Sequence, residues 1–240
     1  MNTAKIFTMS NVKFVLRRPS AILAFIKGGK TEAYRVALKG LLKLLSKCDE
    51  PLIEMLVQRS TSSFQLPKEA SVYKNGSDFL NVVMLYYLVR FSKPQQIVET
   101  GVWSGKTSWA MLQALADNGG GHLASIDLGV ERSGGSTLPT REIGGFVPQE
   151  LRRYWTLEFG DARELLPKTL KKLGTIDMFY HDSNHSYEHM MFEFTSVLSH
   201  TKEKSIICSD DINLNNAWKD FCRLLKDHHE IDNRFGYGHR

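Results

Sequence analysis

Six carboxylates in this chain stand where chemistry would use them. Glu99 lies two residues before Gly101, while Asp127, Asp161 and Asp182 each follow or close a short apolar run, and Asp210 and Asp211 close another. A histidine, His185, comes three residues after Asp182. Carboxylates accept hydrogen bonds from hydroxyls and amines and bind hard cations; an imidazole exchanges a proton near neutral pH. Like charges gathered in one place repel and raise one another's pKa. A purely structural domain has little reason to collect them.

The elements that must position these groups follow from the apolar periodicity. A helix is expected from Ser77 to about Phe91, a strand over Gln96–Thr100, a helix from Lys106 to Ala116 and a strand over Leu123–Asp127. A glycine-rich loop over 128–147 leads to a short helix that Pro148 can start. Then come a strand over Trp155–Phe159, a helix over 162–173, a strand from Ile176 to His181, a helix over 185–199, a strand over Ser205–Cys208 and a helix over 216–227. Such alternation predicts an α/β, doubly wound, Rossmann-like, mostly parallel sheet. Its ligands bind beyond the carboxyl ends of the strands, where strand order reverses. The acids stand on that rim. The segment from His228 to Arg240 leaves room for one strand, over 230–235, and a stub over 236–240.

The segment Val98-Glu-Thr-Gly-Val-Trp-Ser-Gly-Lys-Thr107 is a strand, a glycine turn and a helix start. Gly101 and Gly105 let the backbone pass close to a ligand, and the helix N-terminus offers free N–H groups. A phosphate-cradling loop needs four residues between its first glycine and Gly-Lys-Thr; here there are three. The dinucleotide fingerprint G-x-G-x-x-G is absent. What stands is E-x-G-x-x-x-G, which resembles the first motif of the class I S-adenosylmethionine-dependent methyltransferases. Together with His181-Asp-Ser-Asn-His-Ser-Tyr-Glu188 and Ser209-Asp-Asp-Ile212, it resembles the metal-dependent O-methyltransferases. That group includes catechol O-methyltransferase and the macrolide-sugar methyltransferases, and cephalosporin hydroxylase-like proteins share its pattern. The resemblance spans about residues 73–215.

The resemblance implies roles residue by residue. Glu99, Gly101, Ser104 and Gly105 hold the methionine part of S-adenosylmethionine, Asp127 the ribose hydroxyls, and Asp161 and Ala162 the adenine. Asp182, Asp210 and Asp211 hold Mg²⁺ or another divalent cation, which makes Asp182 part of the catalytic machinery. His185 takes the proton from the attacking hydroxyl. The residues also admit plainer parts. Asp161, Asp182 and Asp210 are helix caps by type, Asp127 is a turn residue, and His185 suits a first helical turn. Three other readings stay open: phosphoryl transfer through Gly-Lys-Thr, a silent binding module on the same fold, and methylation without a metal. The methyl acceptor implied is a small molecule or glycan with a hydroxyl, a sugar first, since adjacent oxygens suit the metal.

Bulk properties bound these readings. The chain has 240 residues, 42% of them apolar and 24% charged, which is ordinary for a globular protein. Two segments are expected: a basic helical extension over 1–70 and a cofactor-binding domain over 71–240. Residues 1–47 carry ten Lys or Arg against a single acid, Glu32. This basic start suits peripheral contact with an anionic membrane. Its aromatics are not interleaved as on a base-stacking platform, so nucleic acid is not expected as a partner. The three cysteines, Cys48, Cys208 and Cys222, are too scattered for a disulfide framework. With no run of about 18 apolar residues, a cytoplasmic setting is expected. A homo-oligomer stays open.

Overall fold

The computed structural model describes residues 78–129, 142–231 and 233–240. The expected basic extension and most of the loop over 128–147 lie outside the described residues. From Asp78 onward the elements are α1 (Asp78–Ser92), β1 (Gln96–Thr100), α2 (Lys106–Asn118), β2 (His122–Asp127), a 3₁₀ turn (Gln149–Tyr154), β3 (Trp155–Phe159), α3 (Ala162–Leu173), β4 (Ile176–His181), α4 (Tyr187–Leu198), β5 (Thr201–Ser209), α5 (Ala217–Phe221), β6 (Asp227–Ile231) and β7 (Phe235–His239). One seven-stranded sheet has the order β3-β2-β1-β4-β5-β7-β6. Strands β1 to β5 pair in parallel, and β7 joins β5 antiparallel. This is the doubly wound fold that the alternation predicts. Strand order reverses between β1 and β4, which fixes where a ligand binds.

Side-chain alternation along β1 assigns its residues to the two faces. Val98 belongs to a core built with Ala162, Leu166, Phe179, Phe194, Ile207, Trp218 and Phe221, so α3, α4 and α5 cover that face. Glu99 points the other way and meets Thr107 and Ser108 on α2. Helix α1 packs there too: Tyr86 donates to Asp117 and Asn118 to the Val89 carbonyl. Met84, Leu85, Tyr86, Tyr87, Leu88 and Val89 are all buried. A helix that is apolar all round belongs inside. No helix among the described residues is long and apolar enough to cross a membrane.

The carboxy-terminal edge corrects the expectation of one strand and a stub. The last helix stops at Phe221, with a 3₁₀ turn to Leu224, rather than running to 227. The chain so released forms a full β6–β7 hairpin, with register from Asp227↔His239 to Ile231↔Phe235. The glycines of β7 make this possible: Gly236 lies against the Trp218 ring and Gly238 against the backbone at Asp227. Periodicity did not mark β6 because its residues, Asp-His-His-Glu-Ile, are mostly polar. Strand β5 also starts earlier than expected, at Thr201, through the exposed Lys202, Glu203 and Lys204.

Candidate active site

The turn after β1 is where the backbone geometry is most demanding. Gly101 has φ +84°, and a side chain there would run into the Asp182 carbonyl. Gly105, at φ +87°, would place a Cβ 2.7 Å from the Gly144 Cα. Only glycine takes both the left-handed conformation and the close approach at little cost. Asp127 fixes the turn from β2. Its Oδ2 accepts from the Val102 and Trp103 N–H groups at 2.8 and 3.0 Å, and its Oδ1 from the Gly129 N–H at 3.0 Å. Glu99 fixes it from below, fully buried, accepting from the hydroxyls of Thr107, Ser108 and Ser125 at 3.0, 2.7 and 2.6 Å. Burial pushes the Glu99 carboxyl up to about 7, the three hydroxyls opposing the rise and Asp127 adding to it.

A cavity of about 400 Å³ opens beside this turn, and Gly101, Asp127, Gly160, Asp161, Ala162, Ser183 and His185 are among the residues that line it. Asp161 caps α3, its Oδ1 accepting from the Arg163 N–H at 2.8 Å. The wall made by Ser183 and His189 is tied to a buried carboxylate, Glu193 on α4. Glu193 accepts from Thr100 Oγ1 and His181 Nδ1, both at 2.6 Å, from Ser183 Oγ at 2.7 Å and from His189 Nε2 at 2.8 Å. Burial would raise its pKa, but the His181 ring and then His189 and Thr100 overturn that and bring it down to about 2.

A second cavity, of about 260 Å³, lies on the other side of the turn. Trp103, Ser104, Asp182, Asp210, Asp211 and Arg234 are on its wall, and it shares Gly101, Asp127 and Leu128 with the first. Its acids are crowded. Burial and then the Asp210 charge hold the Asp182 carboxyl well above the usual carboxylate range, the Tyr180 hydroxyl opposing from 3.1 Å. Burial and then Asp211 raise Asp210, against the Asn81 side chain and Arg234. Asp210 Oδ1 is buried and receives no hydrogen bond. Asp211 holds a left-handed backbone, φ +48°. Among the described residues, no group of three or more His, Cys, Asp or Glu side chains is placed to hold a metal ion.

The structure therefore brings Gly101, Ser104, Asp127, Asp161, Ala162, Asp182, His185, Asp210 and Asp211 to two adjoining cavities. Glu99 is under the turn with its carboxylate taken by hydroxyls, and Gly105 caps α2. His185 Nε2 stands 3.8 Å from Asp182 Oδ1. Its ring meets that of His181 edge to face, centroids 5.1 Å apart, and its carbonyl accepts from Asn215 Nδ2 at 2.8 Å. Thr107 spends its hydroxyl on Glu99, which leaves the Gly-Lys-Thr segment without the hydroxyl a phosphate loop presents to a metal. Glu193 and Arg234 escaped the sequence reading. An i,i+4 pairing of His189 with Glu193 was a readable signal; for Arg234, in a turn of an unrecognised hairpin, there was none.

Residues 98–212 match the family model of a methyltransferase domain. This stretch is a methyltransferase domain, and its fold is that of the class I S-adenosylmethionine-dependent methyltransferases. The matched stretch runs from β1 through the Asp210-Asp211 pair and so takes in both cavities' acids. This methyltransferase is similar in fold to several solved structures. The O-methyltransferase TomG from Streptomyces achromogenes, involved in tomaymycin synthesis and solved with S-adenosylmethionine, is 18% identical; the match covers 88% of this chain and 98% of that one, with a TM-score of 0.51. An O-methyltransferase from Bacillus cereus, in complex with S-adenosylhomocysteine, is 15% identical over 88% and 100% of the two chains, TM-score 0.50. The TDP-rhamnose 3'-O-methyltransferase of calicheamicin biosynthesis is 14% identical over 80% and 96%, TM-score 0.51. The search of curated proteins gave no match.

Proposed function

We propose that this methyltransferase acts on oxygen, that the 400 Å³ cavity takes S-adenosylmethionine, and that the carboxylate cavity takes a hydroxyl acceptor with Mg²⁺ or another divalent cation. The observation that carries this reading is the common wall: Gly101, Asp127 and Leu128 face both cavities, so a methyl donor in one abuts an acceptor in the other. On the donor side, Asp161 and Ala162 lie where an adenine would sit, and Asp127 between turn and ribose. Glu99 acts on the cofactor through the turn it supports.

The residues of the second cavity fit a hard cation on two counts. The donors are all oxygens, which suits Mg²⁺. Their charge is only partly offset: Arg234 Nε stands 2.9 Å from Asp211 Oδ1 and 3.5 Å from Asp210 Oδ1, yet burial and neighbouring acids still hold the Asp182 and Asp210 carboxyls high. Asp182, Asp210 and Asp211 would hold such an ion, which would supply Lewis acidity to lower the pKa of an acceptor hydroxyl. His185, on the first cavity's wall with its Nε2 3.8 Å from Asp182 Oδ1, receives that hydroxyl's proton at a ring nitrogen across the shared wall. The acceptor oxygen then forms a bond to the methyl carbon while the carbon–sulfur bond breaks, its electron pair staying on sulfur. Because the sulfonium is already activated, the chain's task is to align the reactants and exclude water.

The acceptor class proposed is a sugar or glycan hydroxyl, in keeping with a neighbour in fold that methylates TDP-rhamnose. Methyl transfer from labelled S-adenosylmethionine to a panel of nucleotide sugars, glycans, catechols and peptides tests this. Labelled methyl ethers from hydroxyl acceptors, lost in EDTA and restored by Mg²⁺, are expected; labelling of amines or carboxylates alone would overturn the reading.

A further inference from the structure

Arg234 occupies the position that the proposed cation also needs. It lies in the turn between β6 and β7 and lines the same cavity as Asp182, Asp210 and Asp211. Its Nε is 2.9 Å from Asp211 Oδ1 and 3.5 Å from Asp210 Oδ1. These are two of the three carboxylates assigned to the metal. An arginine cannot shed its proton, so it gives way only by moving. Its backbone is held in place: the Arg234 carbonyl accepts from the Ile212 N–H at 3.0 Å, directly beyond the aspartate pair. Its side chain is 38% exposed, which leaves the guanidinium room to swing.

We infer that Arg234 is a built-in competitor of the divalent cation: its guanidinium pairs with Asp210 and Asp211 until an ion displaces it. The inference rests on the metal reading given above. A paired guanidinium keeps two crowded carboxylates compatible with folding before an ion arrives, because removing one partner of such a pair leaves an uncompensated charge. It also lowers affinity, since the ion must break the pair and then tolerate a like charge nearby. Ion entry and Arg234 release are thus one event.

The test uses the full chain and Mn²⁺ as the probe, read by the loss of the free-ion paramagnetic resonance signal and by calorimetry. Arg234→Ala should bind Mn²⁺ about tenfold more tightly than the unaltered chain, the scale expected for loss of one competing charge. Arg234→Gln serves if the alanine variant folds poorly, and should shift affinity the same way. In the unaltered chain, Mg²⁺ should move the Arg234 Nε–H resonance, with no activity measurement involved. Equal or weaker Mn²⁺ affinity in both variants would refute the competition while leaving the metal reading intact. No Mn²⁺ bound by any of the proteins would end the metal reading and this inference with it.

Discussion

The two cavities treat their carboxylates in opposite ways. On the donor side, Asp127 accepts three backbone N–H groups, Asp161 accepts one and caps a helix, and Glu99 accepts three hydroxyls. On the acceptor side, burial and then Asp210 push Asp182 up, burial and then Asp211 push Asp210 up, and Asp210 Oδ1 accepts no hydrogen bond. Satisfied carboxylates are already positioned and hold a loop in shape. Unsatisfied ones carry a standing cost that a cation removes. The first side is satisfied within the protein; on the proposed reading, a bound cation completes the second.

The largest expected effect breaks the second side alone. Asp182→Ala should lower turnover by roughly a thousandfold, the rate equivalent of several kcal/mol of lost stabilisation at the reacting oxygen. S-adenosylmethionine affinity, measured by calorimetry, should change little. Comparable losses in both would merge the two cavities into one unit. His185→Ala should lower kcat by about a hundredfold and abolish the acid limb of its pH profile. A retained limb would assign the proton to another group.

Asp127→Asn sharpens the contrast from the other side. An amide turns one of the two acceptors into an NH2, which meets either the Val102 and Trp103 N–H groups or the Gly129 N–H, and each mismatched or lost charge-assisted bond counts. Cofactor affinity should fall by about tenfold or more, with Mn²⁺ binding unchanged.

The smallest effect concerns Glu99. Its folded pKa of about 7 lies above the ordinary value of 4.5, so the folded state holds the extra proton between those pH values. Stability from this group is therefore full at low pH and is lost as pH rises through 7. Asp182 and Asp210, also raised, act in the same direction. Glu193, lowered to about 2, contributes the opposite way: its stability is present above the ordinary range and is lost only as pH falls toward 2. Glu99→Gln should remove part of the decline, so that the melting temperature between pH 5 and 8 falls by roughly 5 °C less than in the unaltered chain. An identical decline in both proteins would show that Glu99 does not titrate there.

Much of this was legible in the residues. The alternation of helix and strand gave the parallel sheet, and Gly101 with its neighbours gave the turn, because glycine spacing and strand-end acids are local signals. The β6–β7 hairpin was not, since β6 is polar and its pairing depends on Gly236 fitting under Trp218, a contact between residues distant in sequence. For the same reason Arg234 was invisible beside Asp211. Glu99 shows a different limit. Its place before the glycine turn was readable, but the partners that take up its carboxylate come from α2 and β2, and only their packing decides that it supports the cofactor turn rather than facing the cavity.

The central claim is the division of labour across the shared wall of Gly101, Asp127 and Leu128. One preparation, titrated with S-adenosylmethionine and assayed for methyl transfer to a hydroxyl acceptor, in Mg²⁺ and in EDTA, tests it most directly. The account predicts equal cofactor binding in both conditions and transfer only with the ion. Undiminished transfer in EDTA, or cofactor binding that vanishes there, would contradict it.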